Sequence, residues 1–302
     1  IALERPKDGQ SLPFSVFGTG AVKGGSVSLD SSLSSQFLSA LLLAAPRFQT
    51  GLTVRLTPAT LPSRPHVDMT VGALRRFGAT VRLEGHSAWR VEPGGLNGQD
   101  LTIEPDLSNA APFLAAALVA GGSVRVPGWP ATSDQPGGLL RDYLAAFGAS
   151  VSYEEAAPSP PPASGTGQLT VKAEPGQIKG VDLDLSRAGE LAPTLAALAA
   201  LAVGPSRLGG IGHLKGHETD RLRALTSEIN RLGGRARETA DGLEIEPAPL
   251  HGALVRTYGD HRMATFGALI GLAVPGVSVE DVGVTAKTLP TFPQLWREML
   301  GL

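Results

Sequence analysis

The chain has 302 residues, of which 42% are hydrophobic and 18% are charged, so it is long and apolar enough to fold around a sizeable core. A formal net charge of −2 argues against broad binding to nucleic acid or to a membrane surface, since both need a basic excess. The absence of cysteine excludes disulfides, thiolate catalysis and cysteine-ligated metals.

The first residues lack the basic stretch followed by an apolar one that marks a secretory signal. The longest apolar runs, at 38–45 and 195–203, are too short to span a bilayer. We therefore expect a cytoplasmic protein with no membrane partner. The chain opens on Ile1 rather than on methionine, which we interpret as a processed or truncated N-terminus.

One sequence unit recurs four times along the chain. Each copy contains an Ala- and Leu-rich apolar segment, and these segments lie at 37–45, 113–120, 195–203 and 266–274. Glycine or proline follows, and then a short β-branched run such as 52–56, 123–126 or 277–279. Ala and Leu favour helix and alternating β-branched residues favour strand, so each copy predicts a helix followed by a strand.

A second, more polar helix is predicted in each copy. Three of these helices end on similar sequences, at 76–81, 146–151 and 231–236, and the fourth lies at 292–300. Gly78, Gly148 and Gly233 suit a left-handed helix C-cap, after which a strand restarts. The unit is therefore β-α-β-α-β-β, of about 70 to 80 residues; a solenoid, whose units usually have about 20 to 50 residues, is the alternative.

A proline-rich tract at 156–167 interrupts one copy. The strand pattern resumes at 169–171, so we interpret the tract as a surface loop inserted in that copy. It is not interpreted as a linker between domains.

Candidate ligand-binding residues gather where the predicted helices begin. A run of serines with one glutamine, at 31–36, precedes the first apolar helix. One or two of these hydroxyls are explained as N-caps, while the remaining donors and the exposed backbone N–H groups suit a phosphate. Spacing alone leaves both interpretations open.

Two arginines fall in the first turn of their helices. Arg262 follows Asp260, which suits an N-cap, and Arg221 follows Thr219 and Asp220 in the same way. A positive charge at the positive end of a helix dipole costs about 0.3 kcal/mol unless an anion lies beside it. Equivalent positions in two copies therefore indicate a shared anionic ligand.

Two further charged residues are ambiguous on their own. Glu190 lies at the start of the third apolar helix, where the helix dipole favours a carboxylate, and as a base it needs a substrate hydroxyl within hydrogen-bonding reach. Lys287 precedes the last helix and in isolation is an ordinary surface lysine.

Four motifs occur in an order that resembles one enzyme family. They lie at 33–38, 218–222, 260–264 and 285–288, and they read LSSQFL, ETDRL, DHRMA and TAKT. Together they resemble the EPSP synthases (3-phosphoshikimate 1-carboxyvinyltransferases), in a form similar to the actinobacterial enzymes. The resemblance implies an α/β fold of two domains, each built from three β-α-β-α-β-β repeats.

Four repeats are counted here and six are expected for the family. The resemblance thus implies that the two N-terminal repeats are absent. Residues 1–104 then form an incomplete N-terminal-side domain and residues 105–302 a nearly complete C-terminal domain. Since the family's first phosphate and phosphoenolpyruvate contacts lie in the absent part, we expect the chain alone to be poorly active or inactive.

The resemblance implies transfer of the enolpyruvyl (carboxyvinyl) group of phosphoenolpyruvate to the 5-hydroxyl of shikimate-3-phosphate, on the route to chorismate and the aromatic amino acids. The residues that match shikimate-3-phosphate contacts are Ser34, Ser35, Gln36, Ser63, Glu190, His213 and His217. The residues that match phosphoenolpyruvate contacts are Gln36, Arg221, Arg262 and Lys287. The residues that match catalytic groups are Glu190, Glu218, His261 and Lys287.

No metal or organic cofactor is expected, because the histidines lack tight metal-ligand spacing with carboxylates. We expect small-molecule substrates as the partners, no nucleic acid, and a monomer when the protein is complete. The sister UDP-N-acetylglucosamine enolpyruvyl transferase is an alternative, although it usually carries a cysteine as its acid. RNA 3′-phosphate cyclases use related repeats, but the acidic charge counts against them. A non-catalytic domain that keeps the anion cleft also stays open.

Overall fold

A computed structural model describes residues 2–4, 12–155, 165–216 and 218–302. The chain divides into two compact units, residues 1–101 and 102–302. The assignment of 1–104 as an incomplete domain and of 105–302 as a nearly complete one stays a prediction. Most of the proline-rich tract, at 156–164, lies outside the described residues.

The first unit holds one complete repeat. A short antiparallel pair, β1 (Ala2–Glu4) and β2 (Ser15–Phe17), precedes it. The repeat then runs through β3 (Gly25–Leu29), α1 (Gln36–Ala44), β4 (Leu52–Leu56), α2 (Arg64–Arg76), β5 (Val81–Glu84) and β6 (Ala88–Val91). Strands β3 and β4 are parallel, while β6 runs antiparallel to both β4 and β5, which gives the sheet order β3-β4-β6-β5.

The second unit holds the other three copies. The first of them comprises α3 (Ala111–Ala120), β7 (Gly122–Pro130), α4 (Leu140–Ala146), β8 (Ser150–Glu155) and β9 (Thr166–Ala173). The next comprises β10 (Asp182–Asp184), α5 (Ala192–Ala200), β11 (Ser206–Gly209), α6 (Arg221–Arg231), β12 (Arg235–Glu238) and β13 (Leu243–Glu246). The last comprises β14 (Leu254–Val255), α7 (His261–Gly271), β15 (Ser278–Val279) and α8 (Phe292–Leu300).

The full topology of the first repeat returns in the copy that begins at β10, which confirms the predicted unit there. The sheet order β10-β11-β13-β12, with one parallel and two antiparallel pairings, repeats that of the first unit. Strands β14 and β15 are parallel, as the first two strands of a copy should be. The copy that begins at α3 departs from the prediction, because its sheet has only the three strands β7-β9-β8 and residues 92–110 ahead of α3 contain no strand.

Glycines end the second helix of three copies in the predicted geometry. Gly78, Gly148 and Gly233 have φ values of 90°, 108° and 90°, a region that side chains disfavour. In each case the next N–H donates to the carbonyl five residues earlier, at 2.9, 3.1 and 2.9 Å. This pattern closes the helix and turns the chain into the following strand.

The core of the second unit is built on the first helices of its three copies. Helices α3, α5 and α7 pack against one another, and α5 is buried at every residue. These helices are apolar on most sides, which is the composition of helices covered all round. Phe113 of α3 contacts Phe292 and Trp296 of α8, with ring centroids 5.4 and 5.6 Å away. No helix in the described ranges is both long enough and apolar enough to cross a membrane.

Candidate active site

The candidate site begins at the N-terminus of α7. Asp260 is the N-cap, as predicted, and its Oδ1 accepts a hydrogen bond from the backbone N–H of Arg262 at 2.9 Å. Its side chain is fully buried. A buried carboxylate needs a partner that offsets its desolvation, and the chain supplies one from the preceding copy.

That partner is Arg221, the first residue of α6. Arg221 Nε lies 2.7 Å from Asp260 Oδ2 and Arg221 Nη2 lies 3.2 Å from Asp260 Oδ1, so the pair is bidentate, and only 3% of Arg221 is exposed. Burial raises the pKa of Asp260, but the hydrogen bonds and charge of Arg221 outweigh it and hold that pKa below its ordinary value. The anion inferred beside the first-turn arginines is thus, in part, this carboxylate of the protein itself.

Glu218 connects this pair to two more of the predicted residues. Its Oε1 lies 2.6 Å from Lys287 Nζ and 3.9 Å from Arg221 Nη2, and its Oε2 lies 3.2 Å from His261 Nδ1. Burial raises the pKa of Glu218, but the Lys287 hydrogen bond and the nearby His261 and Arg221 lower it overall. Glu218 is therefore a carboxylate at neutral pH, and it forms a direct ion pair with Lys287.

His261 is held as a neutral imidazole. Burial, and then the charge of Arg262, lower its pKa below the ordinary value of 6.5. A neutral ring donates from one nitrogen only, and the Glu218 carboxylate next to Nδ1 assigns the proton to that atom. The buried Nε2 is then an acceptor, and it has no hydrogen-bond partner among the described residues.

Arg262 points its guanidinium at the start of α3. Its Nη2 donates to Ser108 Oγ at 3.0 Å. Burial and the charge of Arg221 lower the pKa of Arg262, while Glu190 and Asp106 act in the opposite direction. An arginine stays protonated despite such a shift, so Arg262 supplies a fixed positive charge close to Glu190.

The turn that carries Lys287 is fastened to the start of α3. Thr288 Oγ1 donates to Asn109 Oδ1 at 3.2 Å, and Asn109 Nδ2 donates to the Thr288 carbonyl at 3.3 Å. The side chain of Lys287 remains 57% exposed. Its ammonium is therefore positioned by its backbone and by Glu218 while still open to a ligand.

A small cavity of about 10 Å³ lies beside His261 and Arg262. Its polar lining consists largely of hydroxyl groups, from Ser108, Thr194, Thr265, Thr285 and Thr288. A cavity of this size has room for about one water molecule. On the outer side of the cluster, Lys287 and part of Glu218 are exposed.

Ser108 is a site contact that the sequence interpretation missed. Its N–H and hydroxyl both bond Asp106 Oδ1, at 2.9 and 2.7 Å. The same Asp-x-Ser turn occurs in two other copies, at 30–32 and 184–186, with N–H to Oδ1 distances of 2.9 and 2.8 Å. The recurrence of Asp-x-Ser in three copies is the sequence signal that points to Ser108.

The third copy places Glu190 and His213 near each other. Glu190 is half-buried in a short turn, Gly189–Leu191, that leads into α5. The His213 ring packs against Gly189, where an added Cβ would come within 3.0 Å of His213 Nε2. Glycine at 189 is therefore what allows the imidazole to approach the residue next to Glu190. His217 lies outside the described residues.

The predicted serine site belongs to the first unit. Ser34 Oγ accepts the backbone N–H of Gln36 at 3.2 Å, so this hydroxyl already bonds the first residue of α1. Ser35 is buried and makes no side-chain capping bond, whereas Gln36 is exposed. Ser63 immediately precedes α2 with a φ of 50°. Binding of a phosphate by these residues stays a prediction.

The structure corrects one argument about metals. Glu218, Asp260 and His261 present ligand-type atoms within 4.8 Å of one another, although their sequence spacing gave no sign of it. Each carboxylate, however, already bonds a cation, Lys287 or Arg221. A metal ion would have to displace both, so the donor set fits an internal ion-pair network better than a metal site.

The comparisons with known proteins agree with this architecture. The model of the EPSP synthase (3-phosphoshikimate 1-carboxyvinyltransferase) family matches residues 3–296. A 3-phosphoshikimate 1-carboxyvinyltransferase of Kocuria rhizophila is 56% identical over 292 residues, which are 96% of this chain and 63% of that protein. The chain thus spans less than two thirds of this relative's length.

Two solved structures share the fold. An EPSP synthase from Acinetobacter baumannii superposes with a TM-score of 0.77 at 24% identity, covering 99% of this chain and 67% of that one. The enolpyruvyl transferase NikO from Streptomyces tendae gives 0.57 at 22% identity, covering 82% and 55%. The predicted enolpyruvyl transferase fold is confirmed.

Proposed function

Because the chain belongs to the EPSP synthase family, we propose that it is part of an enzyme that transfers the enolpyruvyl group of phosphoenolpyruvate to the 5-hydroxyl of shikimate-3-phosphate. The observation that supports this most is the cluster of Glu218, Lys287 and His261 beside Arg221 and Arg262. It combines acid and base groups with fixed positive charge, which is what a reaction between a phosphorylated enol and a hydroxyl needs.

The proposed chemistry has two halves. In the first, the Lys287 ammonium protonates C3 of phosphoenolpyruvate while the 5-hydroxyl of shikimate-3-phosphate attacks C2 and gives up its proton to Glu190. In the second, C3 loses a proton to the Lys287 amine, phosphate leaves from C2, and the double bond is restored. Glu190 then releases the hydroxyl proton to solvent. Glu218 is the fixed anion that holds Lys287 at the reacting carbon.

The cations have separate roles in this proposal. Arg262 and Lys287 bind the phosphate and carboxylate groups of phosphoenolpyruvate. Arg221 also binds phosphoenolpyruvate in this proposal, through the terminal nitrogen that makes neither of its two hydrogen bonds to Asp260. The neutral His261 fixes Glu218 through its Nδ1–H.

The remaining assignments follow from the family and are part of the same proposal. Ser34, Ser35, Gln36, Ser63, Glu190, His213 and His217 bind shikimate-3-phosphate, and Gln36 also reaches phosphoenolpyruvate. The complete protein acts in the cytoplasm as a monomer, on small molecules rather than on nucleic acid. The chain by itself has little activity, because it spans 63% of the relative's length and active-site groups outside that part contribute to positioning.

Phosphate release with both substrates tests the proposal. We would compare the 302-residue chain, a chimera that adds the remaining part of the Kocuria rhizophila relative, and the chimera with Glu190→Gln. We expect activity only in the chimera, and a fall in kcat of about a hundredfold or more in the Gln variant, since general-base catalysis contributes about that factor. The KM for shikimate-3-phosphate should change little.

Three outcomes would contradict parts of the proposal. Full activity of the 302-residue chain would refute the incomplete-site argument, and an undiminished Glu190→Gln variant would remove Glu190 from the mechanism. Replacing shikimate-3-phosphate by UDP-N-acetylglucosamine in the same assay distinguishes the sister activity. No phosphate release with either acceptor would leave the chain as a non-catalytic anion-binding domain.

A further inference from the structure

A fully buried carboxylate, Glu228 of α6, holds the loop that leads into α7. Its Oε1 accepts the Tyr258 hydroxyl at 2.7 Å and its Oε2 accepts the backbone N–H of Arg256 at 3.0 Å. Arg231 Nε lies 3.3 and 3.1 Å from the two oxygens. Every bond of Glu228 is thus made within the protein, and its burial keeps it from touching a substrate.

Tyr258 has a strained backbone conformation, and its hydrogen bond to Glu228 helps to hold it there. Its φ is 54°, and a bulky residue in this left-handed region is uncommon unless the surrounding contacts fix it. Burial and the hydrogen bond to Glu228 raise the pKa of Tyr258, so its phenol keeps its proton and remains a donor. The hydroxyl therefore fastens a strained point of the chain to α6.

The other side of the loop is held by a second carboxylate. Thr257 N–H donates to Glu280 Oε2 at 3.0 Å, and the N–H of Asp260 donates to the Thr257 carbonyl at 2.8 Å. Residues 256–260 are consequently bound on both sides. The next two residues, His261 and Arg262, begin α7, so the direction of their side chains depends on where this loop lies.

We propose that Glu228, acting through Tyr258, is a positioning residue for His261 and Arg262. This inference rests on the proposed function for its catalytic meaning, because Arg262 is the cation assigned to phosphoenolpyruvate. The geometry that carries it is the direct path from Glu228 to the Tyr258 hydroxyl, then through the left-handed turn to the N-terminus of α7. A purely stabilising role is the competing explanation.

The test uses a matched pair of substitutions. Tyr258→Phe removes the hydroxyl that donates to Glu228 and that also contacts Arg231. Tyr153→Phe is the control, because the buried Tyr153 hydroxyl has no hydrogen-bond partner among the described residues. Both variants lose one phenol oxygen in the second unit, but only the first loosens the loop.

The first measurement is made on the 302-residue chain and requires no activity. The chain has six histidines, and the NMR signal of His261 is identified by its loss in His261→Gln. In Tyr258→Phe the pKa of His261 should rise toward its ordinary value, because a loosened loop exposes the ring to water. It should stay at the wild-type value in Tyr153→Phe. An unchanged His261 pKa in Tyr258→Phe would overturn the positioning role.

The second measurement uses the active chimera. Tyr258→Phe should raise the KM for phosphoenolpyruvate about tenfold, the loss expected when a hydrogen bond to a charged group no longer orients a binding residue. The KM for shikimate-3-phosphate should stay within about twofold of wild type. Equal increases in the KM for phosphoenolpyruvate and the KM for shikimate-3-phosphate, or no increase in either, would show that the Tyr258–Glu228 hydrogen bond has only a structural role.

Glu228 itself is tested by a double-variant comparison. If Glu228 acts through Tyr258, then Glu228→Gln with Tyr258→Phe should raise the KM for phosphoenolpyruvate no further than Glu228→Gln alone. If the double variant raised this KM by the product of the two single-variant factors, Glu228 would not act through Tyr258. Should the wild-type chimera be inactive, the proposed function fails, whereas the His261 titration still decides whether Tyr258 positions the loop.

Discussion

The first helices of the repeats are alike in sequence and differ in burial between the two units. In the second unit α5 is buried over its whole length, and α3 and α7 are buried over most of theirs. In the first unit α1 buries Leu38 and Leu42, but Phe37 and Leu43 are 54% and 53% exposed. The three helices of the second unit cover one another, whereas α1 is the single helix of this kind in its unit within the described residues.

This difference shows that the helix is set by its own sequence and its burial by its neighbours. Helix α1, QFLSALLLA, has nine residues like α5 and is equally rich in Leu and Ala. Burying apolar surface stabilises a fold by about 25 cal/mol per Å². An exposed apolar face of this type marks a packing surface, so we expect the part of the complete protein that this chain does not span to pack on Phe37 and Leu43.

The largest expected effect is the difference in the free energy of unfolding between breaking a buried ion pair of the second unit and breaking a surface ion pair of the first. Asp260→Asn removes the bidentate counter-charge of the buried Arg221 and leaves only Glu218, 3.9 Å away, which should lower the free energy of unfolding by about 3–5 kcal/mol. Asp68→Asn makes the same change in the exposed Arg64–Asp68 pair and should cost less than about 0.5 kcal/mol. Urea unfolding of both variants measures the contrast, and similar costs would show that burial does not distinguish the pairs.

A slightly smaller effect tests the packing difference itself. Leu195→Ala in α5 opens a cavity among fully buried neighbours and should cost about 2–5 kcal/mol. Leu43→Ala in α1 should cost less than about 1 kcal/mol in the 302-residue chain, because that side chain is half in water. In the chimera, Leu43→Ala should lower the free energy of unfolding by more than it does in the 302-residue chain if the added part covers α1. An unchanged cost there would argue that this face stays exposed.

The pH dependence of unfolding should also differ between the units. The pKa values of His261, Asp260 and Glu218 are all lowered in the folded state, so the unfolded state binds more protons once the pH falls below their ordinary values. The second unit should therefore lose stability as pH falls through 6.5, and again near the ordinary carboxyl values of 4.5 and 3.8. In the first unit the Ser32 hydrogen bonds lower the pKa of Asp30 and the Arg90 hydrogen bond lowers that of Glu92, but neither carboxylate is deeply buried, so the effect should be smaller.

Tryptophan fluorescence distinguishes the units in this experiment. Trp89 lies in the first unit, and Trp89→Phe leaves Trp129 and Trp296 as reporters of the second. His261→Gln in that background should remove the loss of stability that begins near pH 6.5 and leave the loss at lower pH. A urea midpoint of the second unit that stays constant as the pH falls from 7 to 5 would contradict the lowered pKa of the buried His261 imidazole.

Local features were the predictable part of this fold. The four apolar helices, the glycine C-caps and the strand runs at 52–56 and 123–126 follow from residue composition and backbone preference, and the structure has each of them. The missing strand ahead of α3 was not predictable in this way. The expectation came from repeating the unit, while the residues there form no strand.

The contacts that assemble the site could not be predicted from local pattern. Arg221 and Asp260 are 39 residues apart, and Arg262 and Ser108 are 154 apart, so neither pair leaves a periodic signal. The position of Arg221 in the first turn of its helix predicts an external anion. The local sequence does not show that the carboxylate of Asp260 bonds this arginine in the folded protein. The motifs name residues that the fold brings together around Glu218, and only the fold shows which of them neutralise one another.

Titration of phosphoenolpyruvate into the chimera by calorimetry tests the central claim most directly, namely that the cations at the start of α7 and before α8 hold this substrate. Arg262→Ala is compared with Arg223→Ala, an exposed arginine in the first turn of α6. Arg262→Ala should weaken binding by on the order of 2–5 kcal/mol, as expected for a largely buried charge pair, and Arg223→Ala should leave it unchanged. Wild-type affinity in Arg262→Ala, or an equal loss in both variants, would contradict that claim.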